Sequence, residues 1–411
     1  MFARTKIFPS ATRIKLFLQN KIPGLLQKDS EMKIALLTDG IFPYIIGGMQ
    51  KHSFYLAKYF AKNEIHVDLY HTNQSKFDIN KLECFSEEER KFVHPFVIDF
   101  PDFGRMPGHY VRESFEYSKR IFKLFKQNSD VDFIYAKGFC AWKLIDEKRK
   151  GYQCAPIGVN FHGYEMFQEV QSLKSKLEQL LFLKRPVLFN VKNADFIFSY
   201  GGKISETIRR IGIVQQKIIE ITAGIDSDWI TEKIKPVVAK RKFVFVGRYE
   251  KRKGVAELNK ALHSILVKKD FEFHFIGPIP DEKRIISERI IYHGSLSDVL
   301  KMKNILRNCD VLVCPSHAEG MPNVIMEGMA SGLAVIATDV GATNLLVSKQ
   351  NGWLIESSDP ASIKSAICEA ISIPQNTLLI MKENSVKQIQ SNFLWEKVIE
   401  NTIRKIHYFL R

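Results

Sequence analysis

A chain of 411 residues, 45% hydrophobic and 26% charged, is too long for one ordinary core and too apolar to be disordered, so two domains of ordinary size are expected. No run approaches the roughly 20 apolar residues that cross a bilayer. The six cysteines (Cys84, Cys140, Cys154, Cys309, Cys314, Cys368) form no CxxC pair, which argues against a zinc site or disulfide framework and for buried thiols in a reducing cytosol. A net charge of +15 points to an anionic partner: nucleic acid, an anionic membrane face or a phosphorylated substrate.

Residues 1–31 form a basic amphipathic extension, with Arg4, Lys6, Arg13, Lys15, Lys21 and Lys28 interleaved with Phe2, Phe8, Leu16, Phe17 and Leu18. That mixture suits an anionic membrane interface and equally a solvated tail. From residue 32 short apolar runs alternate with helical stretches. "KIALLTD" (33–39), the helix "KHSFYLAKYFAKN" and "HVDLYHT" (66–72) make a βαβ unit, hence a parallel sheet. "DFIYAKG", "PIGVNFHG", "ADFIFSYG" and "KIIEITAG" continue it. The Lys-rich "DSDWITEKIKPVVAKRK" (226–242) reads as a linker. The alternation then restarts with "FVFVGR", "FEFHFIG", "RIIYHG", "DVLVCPS" and "LAVIATD", and the chain closes on a helix, "FLWEKVIENTIRKIHYFL". The fold class is α/β: two Rossmann-like domains, 32–226 and 227–395, each with a parallel sheet, and a final helix, 396–411, that packs at the domain junction.

Open parallel sheets bind ligands in the crevice at the carboxyl ends of their strands. Four clusters lie just after strands. Gly47 and Gly48 precede a helix whose free N–H groups suit an anion, although the pair alone is also an ordinary turn and no GxGxxG is present. His162, in "NFHGYE", sits beside a glycine at a strand end. In "FVFVGRYEKRKG", Gly247 and Arg248 follow the strand and Lys253 precedes a helix. Two cations and a helix N-terminus then surround one point, a place for a diphosphate, while Lys251 and Arg252 fit a solvated loop. In "HAEGMPNVIMEGMAS", Glu319 lies on the loop and Glu327 on the following helix, set among Ile325, Met326 and Met329. The amides of Gly320, Met321, Pro322's neighbour Asn323 and Val324 are positioned for an anion. Carboxylates on such a rim accept hydrogen bonds from vicinal sugar hydroxyls.

The string "FVGRYEKRKG…IYHGSL…NCDVLVCPSHAEGMPNVIMEGMASGLAVIATDVGA…NGWLIESSD" resembles the carboxyl-terminal domain of GT-B glycosyltransferases of family 4, the group 1 glycosyl transferases, with Glu319 and Glu327 as the E-x7-E pair. The "GG" loop, "FHGYE", "TAGID" and the last helix extend the likeness over residues 32 to about 400. The resemblance implies a retaining transfer of a sugar from a nucleotide diphosphate-sugar, without metal or other cofactor, in a cleft between the domains. It makes Arg248 and Lys253 the diphosphate ligands, Glu327 the ribose ligand and Glu319 the donor-sugar ligand. Gly47, Gly48, Gly247 and residues 320–324 (Gly320, Met321, Pro322, Asn323, Val324) approach the phosphates, and His162 lines the reaction centre.

"VGA" at 340–342 stands where the family has a double glycine, and Asn344 near a frequent acid, which touches donor-sugar contacts rather than the class. Asp130-Val-Asp132 and Asp226-Ser-Asp228 are given no metal role, because one leads into a strand and the other follows "AGI". Alternatives of other kinds are a GT-B sugar-nucleotide epimerase, a phosphorylase and a non-catalytic nucleotide-sugar-binding protein. Nucleic-acid binding explains the charge but has no motif. The expected partners are a nucleotide-sugar donor, a glycan or lipid-linked acceptor in polysaccharide or lipopolysaccharide assembly, and an anionic membrane surface, with a cytoplasmic or peripheral membrane location.

Overall fold

A computed structural model of the chain describes residues 32–72, 82–104, 108–167 and 182–410. The basic N-terminal extension lies outside the described residues. Seven strands, β1 (Lys33–Leu37), β2 (His66–His71), β3 (Val93–Val97), β4 (Phe133–Lys137), β5 (Ile157–Asn160), β6 (Phe196–Ser199) and β7 (Ile218–Glu220), form a parallel sheet ordered β3-β2-β1-β4-β5-β6-β7. Six more, β8 (Arg241–Val246), β9 (Phe271–Ile276), β10 (Ile290–Tyr292), β11 (Val311–Cys314), β12 (Ala334–Thr338) and β13 (Gly352–Ile355), form a second, ordered β10-β9-β8-β11-β12-β13. In both, the order reverses beside the first strand of the domain, which opens a crevice at the carboxyl ends.

The apolar runs named from the sequence became the central strands because both faces of a parallel sheet are covered. β1 and β4 are buried almost throughout, with Ala35, Leu37 and Ile134 packing on one side and Ile34, Leu36 and Phe133 on the other. Two edge strands lay outside the sequence reading. β3, "VHPFV", contains Pro95, which weakens a strand signal yet suits an edge, since proline lacks the N–H of an interior ladder. β13, "GWLI", is short and pairs only with β12.

Four helices frame the crevice: α1 (Gly48–Lys62), α2 (Val255–Ile265), α3 (Asn323–Ala330) and α4 (Trp395–Leu410). The stretch read as a linker is ordered at both ends. Trp229 is buried, the Thr231 amide donates to the Ala330 carbonyl, and β8 already begins at Arg241. The chain passes between the domains twice, and the two passages pair as Ile225 with Leu394. Phe393 packs in the second domain, whereas Trp395, Val398, Ile399 and Ile406 of α4 join the core of the first. The Trp395 ring stacks on Tyr55 and Tyr59 of α1, with centroids 5.5 and 5.9 Å apart. The terminal helix therefore leaves the second domain and clamps onto the first at the junction.

Candidate functional site

The residues singled out in the sequence meet on the two rims of the cleft. After β8 the chain runs through Gly247 and Arg248 into a single turn, Lys251–Lys253, and then α2. Gly254 caps α2 with a left-handed backbone (φ 67°), and a Cβ there would stand 1.9 Å from the Pro315 carbonyl oxygen. Glycine alone permits that approach. It seats the turn against the loop after β11, where Lys253 Nζ lies 2.5 Å from Glu319 Oε1. Arg252 Nη1 reaches the other carboxylate oxygen at 3.2 Å and donates to the Ala318 carbonyl at 3.1 Å. Glu319 is 7% exposed, and a carboxylate so withdrawn from water is held there by its cations.

Arg252, assigned to the solvated loop from the sequence, thus turns into the site. The Arg248 side chain points outward, 73% exposed, with its Nε 3.0 Å from Glu250 Oε1. Arg248 precedes the turn and pairs locally with Glu250, whereas the turn at 251–253 is seated against the loop after β11 and carries both Arg252 and Lys253 to Glu319, which spacing alone does not disclose.

Glu319 and Glu327 flank the start of α3 as the E-x7-E spacing suggested. Gly320 accepts at its carbonyl from the Ala342 amide (2.8 Å), and Met321 is buried, its sulfur accepting from the Ala223 amide at 3.1 Å. Pro322 caps α3, so Asn323 and Val324 open its first turn, where backbone N–H groups have no partner within the helix. Glu327 is buried and faces the first domain, with Oε1 2.7 Å from Lys51 Nζ of α1.

The opposite rim belongs to the first domain. Gly47 precedes α1 in extended backbone and Gly48 begins the helix. A Cβ on Gly48 would find only Asn323 Nδ2 nearby, at 3.9 Å, so the N-termini of α1 and α3 face each other across the cleft. Two helix starts aimed at one space make it positive and suited to an anion. His162, beyond β5, meets the C-terminal rim directly: a Cβ on Gly320 would lie 1.8 Å from its carbonyl oxygen. Its imidazole Nδ1 is 2.8 Å from the Tyr200 hydroxyl.

Behind His162 stands a buried polar cluster that the sequence reading passed over. Lys137, the last residue of β4, is 0% exposed, with Nζ 2.8 Å from His52 Nδ1 and 2.6 Å from Asn160 Oδ1. Burial draws the Lys137 ammonium well below its usual range, and burial together with Lys137 does the same to His52 and His162, so both imidazoles are neutral at pH 7. Asp39, beyond β1, is held by Gln50 Nε2 at 2.9 Å, and burial pushes its carboxyl up to about 6. The available signal was a lysine closing an otherwise apolar strand in "FIYAKG", at the edge where ligands bind.

Among the described residues no cluster of His, Cys, Asp and Glu has a metal-binding arrangement. Asp132 accepts from the Lys33 amide at 2.7 Å, and Asp228 pairs with Lys303 at 2.9 Å. Among the described residues no helix is long and apolar enough to cross a membrane.

Two parallel Rossmann-like sheets facing a cleft, with an E-x7-E pair on one rim and a glycine loop on the other, define a GT-B glycosyltransferase. Family models agree: one described as Glycosyltransferase Family 4 matches residues 46–229, and one described as Glycosyl transferases group 1 matches residues 240–372. The two matches span most of the chain, which belongs to these GT-B glycosyltransferases. Glycosyltransferase MJ1178 of Methanocaldococcus jannaschii is 25% identical over 387 residues, covering 92% of this chain and 98% of the relative. The lipopolysaccharide core biosynthesis mannosyltransferase LpcC of Rhizobium leguminosarum is 32% identical over 113 residues, 27% of this chain and 31% of that protein. Sucrose-phosphate synthase of Thermosynechococcus elongatus shares the fold, with a TM-score of 0.73 at 18% identity over 92% of this chain and 99% of that one.

Proposed function

We propose that the chain transfers a sugar, with retention, from a nucleotide diphosphate-sugar to a glycan or lipid-linked acceptor in the assembly of a cell-surface polysaccharide or lipopolysaccharide. The observation that carries this reading is the paired arrangement at the cleft: two buried carboxylates, each facing a lysine, on either side of two opposed helix N-termini. Breaking the glycosyl–phosphate bond develops negative charge on the departing diphosphate. Lys253 and Arg252, with the first-turn amides of α3, are preorganised to receive it, Arg248 joins them by swinging in from its exposed pair with Glu250, and their charge serves where other transferases use a divalent cation. Glu327 is placed to accept the ribose hydroxyls and Glu319 those of the donor sugar, while His162 lies across the cleft beside Gly320, where sugar and acceptor would meet. Retention is carried over from the family resemblance. The mannosyltransferase relative supports an acceptor of the lipopolysaccharide kind, and the surplus of positive charge supports one displayed on an anionic membrane face.

Thermal unfolding of the full chain with UDP, GDP, ADP, CDP and dTDP, each with and without EDTA, tests this. A ligand at a hundred times its Kd adds about 2.7 kcal/mol. Stabilisation by one nucleotide, indifferent to EDTA, is the expected outcome. No shift with any of the five would overturn the donor-site reading.

A further inference from the structure

We infer that Lys51 is a diphosphate ligand supplied by the first domain, one that releases Glu327 and takes the phosphates when a donor binds. The inference rests on the reading of the cleft as a nucleotide-sugar site. Lys51 projects from the first turn of α1 and spans the cleft, its Nζ 2.7 Å from Glu327 Oε1. The same ammonium lies 5.5 Å from the ring centroid of Trp229, and Lys303 lies 4.9 Å from that ring. Lys51, Trp229, Asn323 and Glu327 line a cavity of about 20 Å³, room for roughly one water. A ribose therefore reaches Glu327 only by displacing Lys51.

The exchange has a charge consequence. Ribose hydroxyls donate hydrogen bonds to Glu327 but bring no positive charge, so the displaced ammonium is left in a partly buried cleft without its counter-ion. A diphosphate restores the balance. It carries negative charge into the space between the starts of α1 and α3, and Lys51 stands one turn of α1 from Gly48. A nucleoside alone opens the Lys51–Glu327 pair and offers nothing in return. Lys51 thus makes the site select phosphorylated ligands over nucleosides, in addition to whatever Arg248 and Lys253 contribute on the other rim.

Isothermal calorimetry on the full chain tests this with UDP, GDP, ADP, CDP and dTDP, each beside its own nucleoside, in wild type, Lys51→Met and Lys51→Arg. In wild type the diphosphate that binds is expected to exceed its nucleoside at least a hundredfold. Lys51→Met is expected to narrow that ratio at least tenfold, weakening the diphosphate and tightening the nucleoside, and Lys51→Arg to restore it. A diphosphate that binds wild type, with a ratio unchanged within twofold in Lys51→Met, overturns the role of Lys51 and leaves the donor site standing. Failure of wild type to bind any of the five overturns the donor-site reading and this one with it.

Discussion

Gly320→Ala is a single-methyl change whose effect can be worked from the geometry. Ordinary van der Waals contact begins at about 3.4 Å, and the added Cβ would stand 1.8 Å from the His162 carbonyl oxygen, a shortfall of 1.6 Å. The obstructing atom is backbone in the opposite domain, so no side chain can swing away to make room. Gly320 has no left-handed backbone, which means alanine is not strained by its own conformation. The cost falls on the approach of the two rims. A misplacement of about 1 Å can reduce turnover about a hundredfold, so kcat is expected to fall at least that far. Denaturant midpoints should hold close to wild type, because the core side chain within reach, Tyr200, is met at an ordinary 3.6 Å. The assay is release of the nucleoside diphosphate identified by thermal shift, run beside urea unfolding followed by circular dichroism. Wild-type kcat in Gly320→Ala would refute the claim that the two rims work in contact.

Four further variants have expected outcomes. Lys253→Met removes a charge-assisted hydrogen bond worth roughly 1.5–3 kcal/mol, and should slow donor turnover ten- to hundredfold or more while Arg252 keeps Glu319 partnered; Arg248→Ala should slow it with no change in urea midpoint, since that side chain is exposed, and unaltered rates in both variants would remove the diphosphate assignment. Trp395→Ala empties a fully buried site stacked on Tyr55 and Tyr59 and should cost about 3–5 kcal/mol of unfolding free energy by denaturant titration, an effect below 1 kcal/mol contradicting the clamp. Asp39 is raised from 3.8 to about 6 chiefly by burial, so its protonated form favours the fold, and that stabilisation is complete below about pH 4 and lost as pH rises through 6. Asp39→Asn should therefore raise the unfolding midpoint at pH 7, with the gain fading between pH 6 and pH 4, and a gain independent of pH would contradict the assignment.

Much of the architecture was legible in the sequence because it rests on local physics. Apolar runs such as "KIALL" and "VLVC" are strands that bury both faces, and the glycines and the proline between them mark the turns that start helices. The strand-end rule then placed Glu319, Glu327, Lys253 and His162 on a crevice without any knowledge of the partner domain. The weak edges were missed for a matching reason. β3 carries Pro95 and lies half open to solvent, and β13 opens on Gly352, so neither reads as a buried apolar run and only their place in the sheet makes them strands.

What the sequence determined by itself was the class of fold, the order of its elements and the chemistry available on each rim. Tertiary structure decided which partner each charge takes. Arg252 rather than Arg248 faces Glu319, Lys51 answers Glu327 from 276 residues away, and Lys137 with His52 backs His162 from inside the first domain. These pairings depend on side-chain direction and on the approach of two domains. Coulomb attraction and desolvation act through space, so neither leaves a mark in residue spacing along the chain.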